Sequence, residues 1–505
     1  MMRFLKSATQ FIPGSVAFSL AVFISLWVLD FPKPNVDDLF YSGAGLNLAS
    51  GGDFSNPLLD RQGFPSHYFF VYPPLHSYAL GGWLKLLGIS AATVTAFPLL
   101  SLLLISIATI SILRRHGAPV WLEYIVPLGL TCVFLPLGLR PEPFAVALTM
   151  VGFALSERKQ NSTLLRFLAF LLMFLGASAA PRVTMFAGIL ALRAGWQSWQ
   201  ADRLAGRSPW RICALWFGAG VLTTLTFLVL IHFRVREFLD TFHLHATRVE
   251  GKQLQLLADY AVHVLGVLQW PLVLIPLALV TFSLMRKPDG LSRAGIWIAC
   301  AFPLVALSGG VGPSTLWWAI LVMLLLAGSA LNLMSHPAKR ALLSALIVLS
   351  LLVANRKFFA LNIGILSGRI DASRSEQHLT ALALRPQPDH PLLVDTAVAR
   401  YLFDYRLPQG ALNLEFGTTF PGAMPGDRNS SELRKGDVFL AGPDTIGLLL
   451  ARTYLELDIP KWNFLGSPKL GFPSKPRYVY IIPAENCKAT RPWDVTPVWS
   501  SSSAK

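Results

Sequence analysis

Apolar runs of roughly 20 residues recur through most of the first 355 positions, and each is long enough to cross a bilayer as a helix. Backbone groups inside hydrocarbon must bond to one another, so runs of this length point to a bundle of membrane-spanning helices. Charged residues fill only 14% of the 505 positions, against about 25% in a soluble domain, which excludes the soluble globular class. The formal charge of +15 would suggest nucleic acid as the partner of a soluble protein. In a polytopic membrane protein it has a simpler cause, because Lys and Arg collect in cytoplasmic loops, and no nucleic-acid partner is expected. Cys132, Cys213, Cys300 and Cys487 have the spacing of neither a metal site nor a disulfide framework.

Charge also sets the topology. The predicted spans are about 12–30, 93–113, 120–138, 143–155, 164–180, 183–197, 212–232, 263–285, 294–308, 315–333 and 341–354. Arg3 and Lys6 precede the first, and no small-x-small cleavage site follows it, so it reads as an uncleaved span with a cytoplasmic start. Leu75–Leu87 has 13 residues after a Pro-Pro break, too few to cross comfortably. Its Leu75, Tyr78, Ala79, Trp83, Leu86 and Leu87 recur at helical spacing, largely opposite His76, Ser77, Gly81 and Lys85. Leu80 and Leu84 blur that pattern, which predicts an interfacial helix lying on the outer leaflet. With this helix kept outside, the spans number 11 and the basic loops all become cytoplasmic, as the positive-inside rule requires. Those loops carry Arg114-Arg115, Arg158-Lys159, Arg193 with Arg203, Arg207 and Arg211, Arg286-Lys287, and Lys339-Arg340.

One outer segment runs against that bias. Residues 233–262 carry Arg234, Arg236, His243, His245, Arg248 and Lys252, which suits an anionic ligand or, more plainly, contact with acidic headgroups. From about 356 to 505 no apolar run is long enough to span, and the composition turns polar. Short strands at Leu392–Val394, Val438–Ala441 and Tyr478–Ile482, with helical segments such as Thr396–Leu402 and Thr445–Thr453 between them, predict a small extracytoplasmic α/β domain. The chain thus divides into a membrane domain, 1–355, and this soluble domain, 356–505.

The stretch from Pro34 to Gly88 organises the rest. Asp37-Asp38 follows directly on the first span, and carboxylates at such an edge are either solvated or functional. Tyr41, Ala44, Ala49 and Gly51-Gly52 come next, then Tyr72-Pro73-Pro74-Leu75 and Gly88. Arg114-Arg115 precedes the third span, and Arg140-Pro141-Glu142-Pro143 lies beyond it. In their order and spacing, these motifs resemble the GT-C superfamily of integral-membrane glycosyltransferases. The likeness is to the branch that holds protein O-mannosyltransferases and lipid A aminoarabinose transferases. It covers about the first 190 residues in motifs and the rest in architecture. Asp38 stands where the family often has Glu, and Glu142 where it often has Asp.

The resemblance implies a polytopic helical fold with juxtamembrane helices in the first outer loop. It also implies transfer of a sugar from a polyprenyl phosphate to an acceptor hydroxyl at the outer face of a bacterial inner membrane, with inversion. The acceptor would be a glycan, a lipid or a protein. Asp37 is then the general base, with Asp38 and Glu142 the other catalytic carboxylates. Phosphate is already a good leaving group, so what the site needs is cations and donors around it. Arg61, Lys85, Arg182, His243, His245 and Arg248 are the candidates, with Tyr41 and Tyr72 as further substrate contacts. For each cation, snorkelling or lipid contact is the plainer explanation. For Glu142 it is a helix N-terminal charge beside Pro143. The carboxylates at 37, 38 and 142 also offer oxygen ligands to a divalent metal. Two other classes compete: a transporter or flippase of lipid-linked sugars, and a non-catalytic assembly subunit that binds through its tail. A transporter would place ionisable residues near mid-bilayer, and these spans are nearly free of them.

Overall fold

Helix starts in this chain carry their own signals. Ser90 and Thr93 form a capping box at the head of a 25-residue helix, and Ser162 accepts the backbone N–H of Leu165 at the head of another. Prolines sit in the first turn of the helices that begin at Glu142 and Pro181, where no N–H is needed. In the computed structural model these become thirteen described helices. They are α1 (Gly14–Val28), α2 (Asp38–Ala49), α3 (Leu75–Leu87), α4 (Ala91–Arg115), α5 (Val120–Phe134), α6 (Glu142–Ser156), α7 (Thr163–Ala179) and α8 (Pro181–Leu204), then α9 (Trp210–Leu230), α10 (Val235–Thr247), α11 (Pro271–Leu284), α12 (Leu316–Leu333) and α13 (Pro337–Ala354). The structure describes residues 14–28, 38–56, 66–158, 162–247, 271–285 and 316–354, a few helical positions at 293–299, and five short strands.

Nine of the predicted spans coincide with helices: α1, α4 to α9, α12 and α13. The span at 263–285 is described only as α11, and that at 294–308 lies mostly outside the described residues. Among the described residues, only α4 and α9 are by themselves both long and apolar enough to cross a bilayer. The bundle surface is apolar along these helices, with Phe217 70% exposed and Ile24, Leu104, Leu225 and Val229 also outward. Water would penalise so large a patch, and lipid does not. The protein is an integral membrane protein.

Small residues set the closest helix contacts. A Cβ on Gly176 of α7 would clash with Thr149 Oγ1, and one on Gly152 of α6 would fall 2.6 Å from the Ala169 carbonyl oxygen. Such backbone approach replaces the hydrophobic driving force that is missing between helices in lipid. The core they enclose includes Phe153, Phe170, Phe186, Trp317 and Trp318.

The helix predicted at Leu75–Leu87 is present. His76, Ser77, Leu80, Gly81 and Leu84 are buried, while Leu86 and Leu87 are exposed. Gly81 lies against the Gly45 carbonyl of α2, where an added Cβ would come to 3.1 Å. Leu80 and Leu84 thus pack on protein beside small and polar residues, while Leu86 and Leu87 are left for lipid.

At the other end of the spans, basic residues are tied to carboxylates. Arg114 pairs with Glu123, Arg193 and His116 with Glu157, and Arg166 and Arg207 with Asp202. Arg193 and Arg203 are therefore not loop residues as expected, because α8 runs on to Leu204. Arg193 is buried within it.

Beyond the bundle, five strands form one sheet in the order β2-β1-β3-β4-β5. They are β1 (Leu392–Val394), β2 (Leu412–Asn413), β3 (Val438–Ala441), β4 (Tyr478–Ile481) and β5 (Thr496–Pro497). β1 pairs in parallel with β2 and β3, and β4 runs antiparallel to β3 and β5. The three predicted strands are among these. The segments Thr396–Leu402 and Thr445–Thr453 lie outside the described residues.

Candidate active site

Two helix N-termini meet at one end of the bundle. The chain leaves α5 through a 3₁₀ turn, Leu135–Leu137, and reverses at Gly138, whose φ of 55° favours glycine. Pro141 then starts α6, so that Glu142 is its first residue. Pro181 starts α8, with Arg182 next. Glu142 is completely buried between two arginines. Arg182 Nη1 donates to its Oε1 at 3.3 Å, and Arg140 Nε to its Oε2 at 3.4 Å. The Arg140 and Arg182 side chains are 12% and 28% exposed, so water screens their charges only partly.

α2 closes the site from the side. Arg140 Nη2 donates to Tyr41 Oη at 3.1 Å, and its guanidinium carbon lies 4.8 Å from the Tyr41 ring centre. Tyr41 Oη reaches Tyr72 Oη at 3.3 Å, with the two rings edge to face. Both tyrosines belong to a second, aromatic core with Phe40, Phe54, Phe69, Phe70 and Phe238. This core joins α2, the loop before α3, the end of α9 and α10. His232 and Phe233 bend the chain from α9 into α10 with φ of 53° and 58°, a left-handed turn that costs non-glycine residues energy. His232 Nε2 is held 3.1 Å from Tyr78 Oη.

His76, in the first turn of α3, is buried between Phe97 and Phe144. Burial pushes its pKa down to about 4, although the nearby Glu142 charge opposes this. It is therefore neutral at pH 7. The unfolded chain takes up a proton here below about pH 6.5, and the fold does not until about pH 4. Stability then rises with pH across that window and is lost as the pH falls through it. The melting temperature of the detergent-solubilised protein should drop between pH 7 and pH 5, and His76→Gln should flatten that slope. An unchanged slope would show His76 to be protonated in the fold.

The rim of the aromatic core carries a second polar group. Asp53 accepts from Ser55 Oγ at 2.6 Å and sits 2.7 Å from His67 Nε2. Burial works to raise the Asp53 pKa, but its bonds to Ser55 and His67 outweigh that and lower it. Arg234 pairs with Glu237 and covers the Tyr68 ring, and Arg236 pairs with Asp240. Part of the basic excess expected in 233–262 is thus balanced within α10.

The structure brings Tyr41, Tyr72, Glu142 and Arg182 together. Lys85 does not join them. It is exposed in the last turn of α3, nine residues, or roughly 14 Å, along the helix from His76. His243 is exposed on α10. Asp38 is the first residue of α2 and His245 lies in α10, but their side chains are not described. Asp37, Arg61 and Arg248 lie outside the described residues. Sequence reasoning placed Arg140 in the motif but gave it no role, and passed over His76. Arg140 had a usable signal, since it stands two residues before the acidic helix start. Among the described residues no group of three or more His, Cys, Asp or Glu is placed to hold a metal. Glu142, with both oxygens facing guanidiniums, does not fit as a cation ligand.

Together these features resemble the GT-C fold expected from the motifs. The chain is similar to ArnT from Cupriavidus metallidurans in a crystal structure bound to undecaprenyl phosphate, with a TM-score of 0.55 and 17% identity over 88% of this chain and 95% of that one. Against the apo state of the same protein, the TM-score is 0.53 at 16% identity, with the same coverage. At such identity the likeness establishes the fold. No family model matches the chain, and no curated protein does.

Proposed function

We propose that this chain is a glycosyltransferase that moves a sugar from a polyprenyl-phosphate donor to an acceptor hydroxyl at the outer face of the membrane. The observation that carries the reading is the buried Arg140–Glu142–Arg182 cluster beside Tyr41 and Tyr72. It lies in a fold shared with a protein seen bound to undecaprenyl phosphate. In the reaction the acceptor oxygen bonds to the anomeric carbon, the carbon–oxygen bond to phosphate breaks, and the phosphate leaves with the electron pair. Attack from the face opposite the phosphate inverts the anomeric centre. Asp37 takes the acceptor proton. Asp38 stands beside it at the head of α2, six residues before Ala44 of the aromatic core.

Glu142 acts in this reading as a positioning residue. It fixes Arg140 and Arg182, whose guanidiniums meet the charge on the phosphate as it departs. Tyr41 and Tyr72 line the approach. The test is to reconstitute the protein with a polyprenyl-phosphate sugar and an acceptor hydroxyl. Free polyprenyl phosphate and the glycosylated acceptor should appear together, and only together. Recovery of intact donor on the opposite leaflet, with no free polyprenyl phosphate, would overturn the reading in favour of a transporter.

A further inference from the structure

The turn between α8 and α9 lies far from the site just described. Arg182 and Leu204 stand at opposite ends of α8, 22 residues apart, or roughly 33 Å along the axis. That is about the thickness of the hydrocarbon layer, so the turn lies at the other membrane surface. Asp202 builds it. This side chain is completely buried, and its Oδ1 accepts from Arg166 Nη1 and Arg207 Nη2, each at 2.9 Å. The backbone N–H of Arg207 donates to the Asp202 carbonyl at 2.9 Å, and Gly206, with φ of 68°, makes the reversal. The result presents Arg203, Arg207 and Arg211 on one short, exposed segment.

Charge is unbalanced there. Arg203 and Arg211 form no ion pair among the described residues, and Arg207 stays 50% exposed despite its bond to Asp202. Asp202 divides its charge between Arg207 and Arg166. Apolar side chains surround the cations. Leu204 is 89% exposed, Trp210 71% and Trp196 59%, and Trp199 packs edge to face on Trp210 across the turn at 5.5 Å. Tryptophan beside arginine at the end of a span is the composition of the headgroup layer, where an indole sits between hydrocarbon and water.

We infer that the α8–α9 turn is a binding site for an anionic phospholipid. Arg203, Arg207 and Arg211 hold the headgroup phosphate, and the acyl chains lie along Leu204, Trp196 and Trp210. The apolar partners select a lipid over a free phosphate ion, and the uncompensated arginines select an anionic lipid over a zwitterionic one. The site is independent of the transfer reaction, because none of its residues is near Glu142.

Native mass spectrometry and thermal unfolding of the purified full chain in detergent test this, with phosphatidylglycerol, phosphatidylcholine and inorganic phosphate as probes. Phosphatidylglycerol alone should remain bound and raise the melting temperature. The double variant Arg203→Gln/Arg211→Gln leaves Asp202 both its partners, so it should fold and melt like the wild type without lipid. It should bind phosphatidylglycerol about 25-fold more weakly at low salt, about fivefold for each lost charge. If that variant does not fold, a salt titration of the wild type decides, because phosphatidylglycerol binding should weaken as ionic strength rises. Equal binding of the two lipids by the wild type would overturn the site. So would an undiminished affinity in the double variant, a salt-independent affinity, or inorganic phosphate stabilising as well as the lipid.

Discussion

Glu142→Gln is expected to cost both stability and transfer. The change is nearly isosteric, so the loss is one of charge. It leaves Arg140 and Arg182 facing a neutral amide in a site where Glu142 had no contact with water. Removing one member of a buried ion pair typically costs about 3–5 kcal/mol. The lower end applies, about 3 kcal/mol, because Arg182 is 28% exposed and can be rehydrated. The melting temperature should fall accordingly. Transfer should fall further than folding explains, because the two guanidiniums lose their fixed geometry, and the loss should appear as a raised KM for the donor with the acceptor KM little changed. Glu142→Asp keeps the charge one methylene shorter and should recover part of both. Arg140→Lys keeps the charge yet should still raise the donor KM, since an ammonium cannot hold Glu142 and Tyr41 at once through a planar fork. If Glu142→Gln melts and turns over like the wild type, the cluster is neither a structural nor a catalytic element.

Asp37→Asn is expected to abolish transfer while leaving the fold and donor binding in place. Asparagine matches aspartate in shape but cannot take a proton. Loss of a general base commonly slows a reaction by about 10²–10⁴-fold. Asp38→Asn should cost less if Asp38 only positions its neighbours. The two variants separate the roles of adjacent residues that the motif alone cannot rank. Sugar transfer by protein in lipid is the assay, with thermal unfolding as the control for folding. Wild-type turnover in Asp37→Asn with a dead Asp38→Asn would move the base by one residue. Full activity in both would sink the glycosyltransferase reading.

The two predictions differ in what supports them. Asp37 rests on sequence order and the resemblance alone, because it lies outside the described residues. Glu142 rests on contacts between residues 2 and 40 positions apart in the chain. The motif had shown an acidic helix start between two prolines, for which a dipole-stabilised charge was a sufficient explanation. Its burial against two arginines was visible only once α6 and α8 were seen to begin side by side.

Helix positions were legible in the sequence because they follow from local conditions. A backbone in lipid must close its own hydrogen bonds, and proline, serine and glycine mark where that can begin or stop. The helices α1, α4 to α9, α12 and α13, the helix α3 and the three main strands all appear where those rules put them. Contacts between helices do not follow from such rules. Lipid is as apolar as a leucine side chain, so hydrophobicity alone does not separate core from surface: Leu80 and Leu84 of α3 are buried beside Gly81, which lies against Gly45, while Leu86 and Leu87 are exposed. Tyr41 meeting Arg140, and Asp202 meeting Arg166, belong to the same category. Each joins residues from separate parts of the chain, and only the packing of the helices determines which charged and polar groups share a site.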